Sequence, residues 1–151
     1  MLIGLQPRGS FLAKELHKRL TAILAPARVD IGLLDTTFHR DDFRKHKGPI
    51  IPSATVMDIV VEDRNIIFVD DVLYTGRTIR AGMDALLDFG RPGSVELLVL
   101  VDRRYSRQLP IEPTYRGLSV DTRANQKVKV NWKDTEGEDS VLLLTEETHN
   151  N

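Results

Sequence analysis

The apolar run Ile66 to Val69 meets two adjacent acids, Asp70 and Asp71, and then Thr75-Gly76-Arg77-Thr78 at the head of an amphipathic stretch that ends at Gly90 and Pro92. β-Branched and aromatic residues with no polar member suit a parallel strand covered on both faces. A helix over 77–89 follows directly, and Gly90 and Pro92 stop it. Similar pieces lie on either side. Met1 to Leu5 reads as a buried strand. From Ser10 to Leu24 the apolar set Phe11, Leu12, Leu16, Leu20, Ile23 and Leu24 recurs at helical spacing, opposite Lys14, Glu15, Lys18 and Arg19, until Pro26 ends it. Val29 to Leu34 and Val95 to Val101 complete a series of strand, helix, strand, loop, strand, helix, strand. That order predicts an open α/β parallel sheet with right-handed crossovers and helices on both faces. The tail alternates at Val128/Val130/Trp132 and Val141/Leu143, which predicts a C-terminal β hairpin closed by Asp134-Thr-Glu-Gly137.

A chain of 151 residues with 41% hydrophobic content suits one domain spanning 1–151. It has no cysteine, so no disulfide framework is available. Neither a signal peptide nor an apolar run long enough for a bilayer is found, and a cytoplasmic protein without membrane contact is the expectation. A formal net charge of -1 gives no global attraction to nucleic acid. His39 and His46 lie in a cysteine-free loop without metal-ligand spacing, which argues against zinc.

Open α/β sheets bind ligands outside the carboxyl ends of their strands, where Asp70 and Asp71 are expected, outside the core. Adjacent acids repel unless a metal, a cation or a set of hydroxyls neutralises them. A furanose with two vicinal hydroxyls near a magnesium ion would do so. In Thr75-Gly76-Arg77-Thr78 the glycine lets backbone N–H groups converge, and two hydroxyls and a helix N-terminus add donors, so a phosphate fits one sugar's length from the acids. Taken alone, Asp-Asp is a solvated loop and Thr-Gly-Arg-Thr a helix cap. The complete series of strand, acid pair, glycine turn and helix favours a ribose-5-phosphate site.

Val69-Asp-Asp-Val-Leu-Tyr-Thr-Gly-Arg-Thr78 resembles the phosphoribosyl pyrophosphate (PRPP) loop of type I phosphoribosyltransferases, and its wording is similar to the group of pyrimidine operon regulators that are also uracil phosphoribosyltransferases. The resemblance continues through Ile79 to Pro92, Leu98 to Arg103 and Leu109 to Ile111. It implies a phosphoribosyltransferase that joins uracil to PRPP, with Mg2+, giving uridine monophosphate (UMP) and pyrophosphate. It assigns Gln6, Pro7, Arg8 and Gly9 to a pyrophosphate loop, gives Arg40, with Lys45 and Lys47, pyrophosphate contacts from a flexible loop closing over PRPP, and makes Asp70, Asp71, Arg8 and Arg40 the catalytic residues. It further assigns Thr75, Gly76, Arg77 and Thr78 to the 5-phosphate and Val101, Asp102 and Arg103 to the base pocket. Arg paired with phosphate oxygens suits the first of these roles. For Asp102 and Arg103 the plain alternative is mutual pairing. The family also implies at least a homodimer, and an N-terminal helical segment ahead of the first strand that this chain is expected to lack.

The same resemblance carries a second role, binding of pyrimidine-operon leader RNA as an attenuator. Arg103, Arg104, Arg107, Lys127 and Lys129 are the basic residues available for it. RNA-binding members have Thr before the Arg-Gly of the pyrophosphate loop and His soon after Val-Asp-Arg, where this chain has Pro7 and Tyr105/Ser106, so the enzyme reading is the stronger. Transfer to a purine or to orotate stays open, because the phosphate loop reads only the shared half of the substrate.

Overall fold

The computed structural model describes residues 1–41, 55–58 and 60–147. Five parallel strands, β1 (Leu2–Leu5), β2 (Ile31–Leu34), β3 (Asn65–Leu73), β4 (Ser94–Arg104) and β5 (Tyr115–Asp121), form one sheet in the order β2-β1-β3-β4-β5. Helix α1 (Gly9–Leu24) connects β1 to β2, and α2 (Arg77–Leu86), extended by a 3-10 turn over Leu87–Phe89, connects β3 to β4. Strands β6 (Gln126–Asn131) and β7 (Ser140–Thr145) make an antiparallel hairpin, as the alternation predicts. Its connection is more ordered than a plain turn, since Lys133–Glu136 forms one helical turn, α3.

The helices cover opposite faces. On one side Ile3, Leu5, Ile66, Phe68 and Leu73 pack with Ile79, Ala85 and Leu86 of α2. On the other, Leu2 and Val69 pack with Leu12 and Ala13 of α1, with Leu16, Leu20 and Trp132 against them. Burial on both faces is why the strands carry continuous apolar runs. Ile23 and Leu24 depart from the expected stripe, being 76% and 47% exposed. A 16-residue helix is about 24 Å long, against about 13 Å for a four-residue strand, so its last turn overhangs the sheet.

Two strands extend beyond the sequence expectation. β3 does not stop before the acids, and its pairing with β4 runs to Leu73↔Asp102. Its pairing with β1 ends at Gly4↔Val69, so only its β1 side becomes free at Asp70. Asp70 and Asp71 are consequently buried, at 7% and 9% exposure, rather than outside the core. β4 likewise holds Asp102 and Arg103 within the strand rather than after it. β5 was not legible as a strand, because Tyr115-Arg-Gly-Leu-Ser-Val-Asp121 is a largely exposed edge. Among the described residues no helix is long and apolar enough to cross a membrane.

Candidate active site

The strand order reverses direction between β1 and β3, since β1 leads outward to β2 while β3 opens the other half of the sheet. Such a switch point leaves a crevice at the strands' carboxyl ends. Two loops enter it, Gln6 to Arg8 after β1 and Tyr74 to Gly76 after β3. Their approach is close: a Cβ on Gly9 would lie 2.3 Å from the Val69 carbonyl oxygen and 3.0 Å from Asp70 Cα.

A cavity of about 230 Å³ follows β3, lined by Arg40, Asp41, Asp70 and the backbone run from Val72 to Ile79. Gly76 has φ +91°, in the left-handed region that glycine enters without strain, and it starts α2. The first turn of a helix has N–H groups without intrahelical acceptors. Here that turn is Arg77 to Ile79, directly after Thr75 and Gly76, where the sequence leads one to expect a phosphate. Arg77 places its guanidinium elsewhere, pairing with Asp41 and donating from Nε to Gln108 Oε1 at 2.8 Å. Its backbone N–H remains at the turn, 3.4 Å from Thr75 Oγ1.

The acids divide between two environments. Asp70 lines the cavity, and burial, reinforced by the neighbouring Asp71 carboxylate, pushes its carboxyl well above the ordinary value, with Arg40 opposing. Asp71 faces the other loop, where Arg8 Nε lies 3.6 Å from its Oδ2. Each carboxylate also accepts a local backbone N–H, Asp70 Oδ1 that of Asp71 at 2.9 Å and Asp71 Oδ1 that of Val72 at 2.8 Å.

In the β1 loop, the Gln6 N–H is already committed to the Leu34 carbonyl at 2.9 Å. Pro7 has no N–H to give, so it shapes the loop without donating. Ser10 Oγ donates to the Pro7 carbonyl at 2.6 Å. Among the loop's backbone groups, Arg8 and Gly9 retain N–H donors, beside the Gln6 side-chain amide. Gln6 Oε1 is buried without a hydrogen-bond partner.

Asp102 and Arg103 do not pair with each other. Asp102, 1% exposed, takes Arg107 Nη2 at 2.6 Å. Arg103 donates to Thr122 Oγ1 at 3.0 Å and the Gln126 carbonyl at 2.8 Å, and stacks 3.9 Å from the Tyr74 ring centroid. Arg107 also donates to the Tyr74 carbonyl at 2.6 Å, so the segment after β4, in which Val101 is fully buried, is tied to the turn before α2. Lys45 and Lys47 lie outside the described residues. Among the described residues no group of three or more His, Asp or Glu could hold a metal ion by itself. Two buried acids short of positive charge do fit a Mg2+ ion that shares its coordination with substrate phosphates.

A phosphoribosyl transferase domain model matches residues 1–135. The chain belongs to the phosphoribosyltransferase family. Within it, the chain is 44% identical over 149 residues to the bifunctional protein PyrR of Bacillus subtilis, covering 97% of this chain and 81% of that protein. To the bifunctional protein PyrR of Clostridioides difficile it is 42% identical over 144 residues, covering 95% and 80%. These relatives place it with the bifunctional PyrR proteins, the pyrimidine-regulator branch of the family. The solved structure of the hypoxanthine phosphoribosyltransferase of Trypanosoma cruzi superposes with TM-score 0.63 at 19% identity, covering 97% of this chain and 76% of that one, which shows the shared fold.

Glu136 escaped the sequence reading. It pairs with Arg8 Nη1 at 2.8 Å from the hairpin connection, and nothing in its local sequence marks that contact.

Proposed function

We propose that this phosphoribosyltransferase transfers the 5-phosphoribosyl group of PRPP to uracil, giving UMP and pyrophosphate. The observation that carries the reading is the adjacency of a phosphate-sized turn at a helix N-terminus and a buried acid pair, both at the sheet's switch point. The bond from the anomeric carbon to pyrophosphate breaks, a bond to the uracil nitrogen forms, and the nitrogen's proton leaves to solvent. Positive charge develops on the sugar while negative charge gathers on the leaving group, so stabilisation is mainly electrostatic.

Asp70 and Asp71 would hold the ribose hydroxyls and favour the cationic sugar. Arg8, Arg40 and the Gly9 amide would meet the pyrophosphate, and Thr75, Gly76, the Arg77 amide and Thr78 would anchor the 5-phosphate far from the reacting bond. Mg2+ bound with the substrate, beside Asp70 and Asp71, would supply further charge neutralisation at the pyrophosphate. Val101 and the Tyr74/Arg103 stack would border the base, with Asp102 and Arg107 fixing that wall. No nucleophilic side chain is needed.

The test is a direct assay with PRPP, Mg2+ and each of uracil, orotate, hypoxanthine and guanine in turn. UMP as the dominant product is expected. Turnover with a purine or orotate in preference to uracil refutes the base assignment.

The RNA-binding role has less support in this chain. Arg103 is buried, Arg107 is held by Asp102, and Arg104 pairs with Asp121 at 2.7 Å. Lys127 pairs with Glu146. With Arg103 and Arg107 committed inside the fold, Arg104, Lys127 and Lys129 remain as exposed charges, and with Pro7 and Tyr105/Ser106 in place of Thr and His, binding to a pyrimidine-operon leader hairpin should be weak, steeply salt-sensitive and indifferent to scrambling of the sequence. Filter binding at physiological salt reads this, and a clear preference for the leader refutes it.

A further inference from the structure

Arg8 links the C-terminal hairpin to the acid pair, and both of its side-chain hydrogen bonds go to the hairpin. Glu136 Oε1 accepts Arg8 Nη1 at 2.8 Å, and the Val130 carbonyl accepts Arg8 Nη2. The guanidinium lies 5.4 Å from the centroid of the Phe11 ring, with Nε turned towards Asp71. Glu136 is itself fixed, because its other oxygen accepts the Trp132 backbone N–H at 2.6 Å across the single turn of α3. That N–H, and then Arg8, hold the Glu136 carboxyl below its ordinary range, so it stays ionised at neutral pH. The hairpin is anchored in turn: Trp132 stacks on Phe11 of α1 at 6.2 Å between centroids, and Val130 is 3% exposed.

We propose that Glu136 is a positioning residue that holds the Arg8 guanidinium at the switch point, ready for the pyrophosphate of PRPP. This rests on the reading of Arg8 given above. A guanidinium has five N–H donors in a rigid fork. Val130 and Glu136 each take one from a different terminal nitrogen, leaving one hydrogen on each for a phosphate oxygen. An unanchored Arg would lose rotamer freedom on meeting the ligand, and ordering it beforehand removes that cost from binding. Glu136 is thus expected to act on PRPP affinity through Arg8, and not on the chemical step. A latch, in which Glu136 withholds Arg8 from the ligand, makes the opposite prediction, because breaking it would tighten binding.

The experiment compares wild type, Glu136→Ala, Glu136→Gln, Arg8→Ala and the double variant Arg8→Ala/Glu136→Ala. PRPP is titrated at saturating uracil, and magnesium pyrophosphate binding is measured by calorimetry. For Glu136→Ala the expected result is a rise in KM for PRPP of about three- to ten-fold, the scale of a partly exposed charge-assisted contact, with kcat within about two-fold. Pyrophosphate affinity should fall by a similar factor. Glu136→Gln, which keeps an acceptor but no charge, should fall between, and it carries the test if the Ala variant melts early. In the Arg8→Ala background the Glu136 substitution should change nothing further. A lower KM, an unchanged pyrophosphate affinity, a loss confined to kcat, or an equal loss in the Arg8→Ala background each overturns the proposal. A wild type that binds pyrophosphate but transfers ribose to no nucleobase overturns the enzymatic reading instead, and the effect of Glu136 on pyrophosphate still decides this one.

Discussion

Gly9→Ala is the most direct test of how the two loops are joined. A Cβ there would stand 2.3 Å from the Val69 carbonyl oxygen, 3.0 Å from Asp70 Cα and 3.2 Å from Asp70 Oδ1. The first two are backbone atoms, so no rotamer change relieves the clash. Bringing the shortest contact from 2.3 Å to 3.0 Å, the closest that real Cβ atoms tolerate, parts the β1 loop from β3 by at least about 0.7 Å. Overpacking of this kind costs about 1–3 kcal/mol. In a domain of this size each kcal/mol lowers Tm by about 2–4 °C, so calorimetry should show a fall of roughly 2–12 °C. The larger consequence falls on the site, because the gap opens between Arg8 and the acid pair. A displacement approaching 1 Å in a positioned group costs about 100-fold in rate. The expected variant is therefore folded, moderately destabilised, and low in kcat/KM with PRPP far beyond what its stability explains. Wild-type kcat/KM together with an unchanged Tm would refute the close approach as a determinant of the site.

Asp70→Asn should raise stability at neutral pH while removing most turnover. In wild type the folded protein holds the Asp70 proton to higher pH than the unfolded chain, so stability declines as pH rises from the ordinary carboxylate value of 3.8 through the raised folded value, and stays lowered above it. The variant should lack that decline in a series of thermal melts against pH, and the same slope in both proteins would refute the assignment. Arg107→Ala leaves the Asp102 carboxylate, 2% exposed, without its nearest partner and should cost about 3–5 kcal/mol by urea unfolding. Arg104→Ala breaks an exposed pair and should cost under about 1 kcal/mol; equal costs would show that the Asp102 pair is not structural. Removal of Mg2+ with a chelator should weaken PRPP binding measured by calorimetry, because the substrate then brings its full negative charge to the acid pair, and equal affinity with and without metal would argue against a shared ion.

What the sequence showed followed from local rules. Ile66 to Val69 reads as a doubly covered strand because both faces are buried, and Thr75 to Thr78 as an anion turn because a left-handed glycine followed by a helix start is written in adjacent residues. β5 did not read as a strand because an exposed edge places little demand on side-chain pattern. The extent of β3 was also hidden. Whether a strand ends at its acids depends on each neighbour, and β1 departs at Val69 while β4 continues past Asp71. Arg77 illustrates the same limit. Its place in the motif puts its backbone N–H at the turn, but its side chain goes to Asp41 and Gln108, which sit in other loops. Glu136 lay beyond local reasoning altogether, since its partner is 128 residues away.

These long-range contacts explain how a buried acid pair survives in a folded chain. Two carboxylates in the sheet carry a desolvation cost that no single surface cation offsets. The neutralisation is distributed: backbone N–H groups hold one oxygen of each acid, Arg8 approaches Asp71 from the β1 loop, and Arg40 acts on Asp70 from beyond β2. Arg8 is shared with Glu136, so the cluster remains deficient in positive charge and the Asp70 carboxyl stays raised. Compensation by contacts within the pocket alone would leave a ligand nothing to add. A residual deficit at the carboxyl end of the sheet instead suits the proposed ligand, whose sugar hydroxyls and accompanying Mg2+ would supply the missing donors and positive charge. The acids stand in β3 rather than on a solvated loop because β4 continues to pair with β3 past Asp71 and keeps both carboxylates in the sheet.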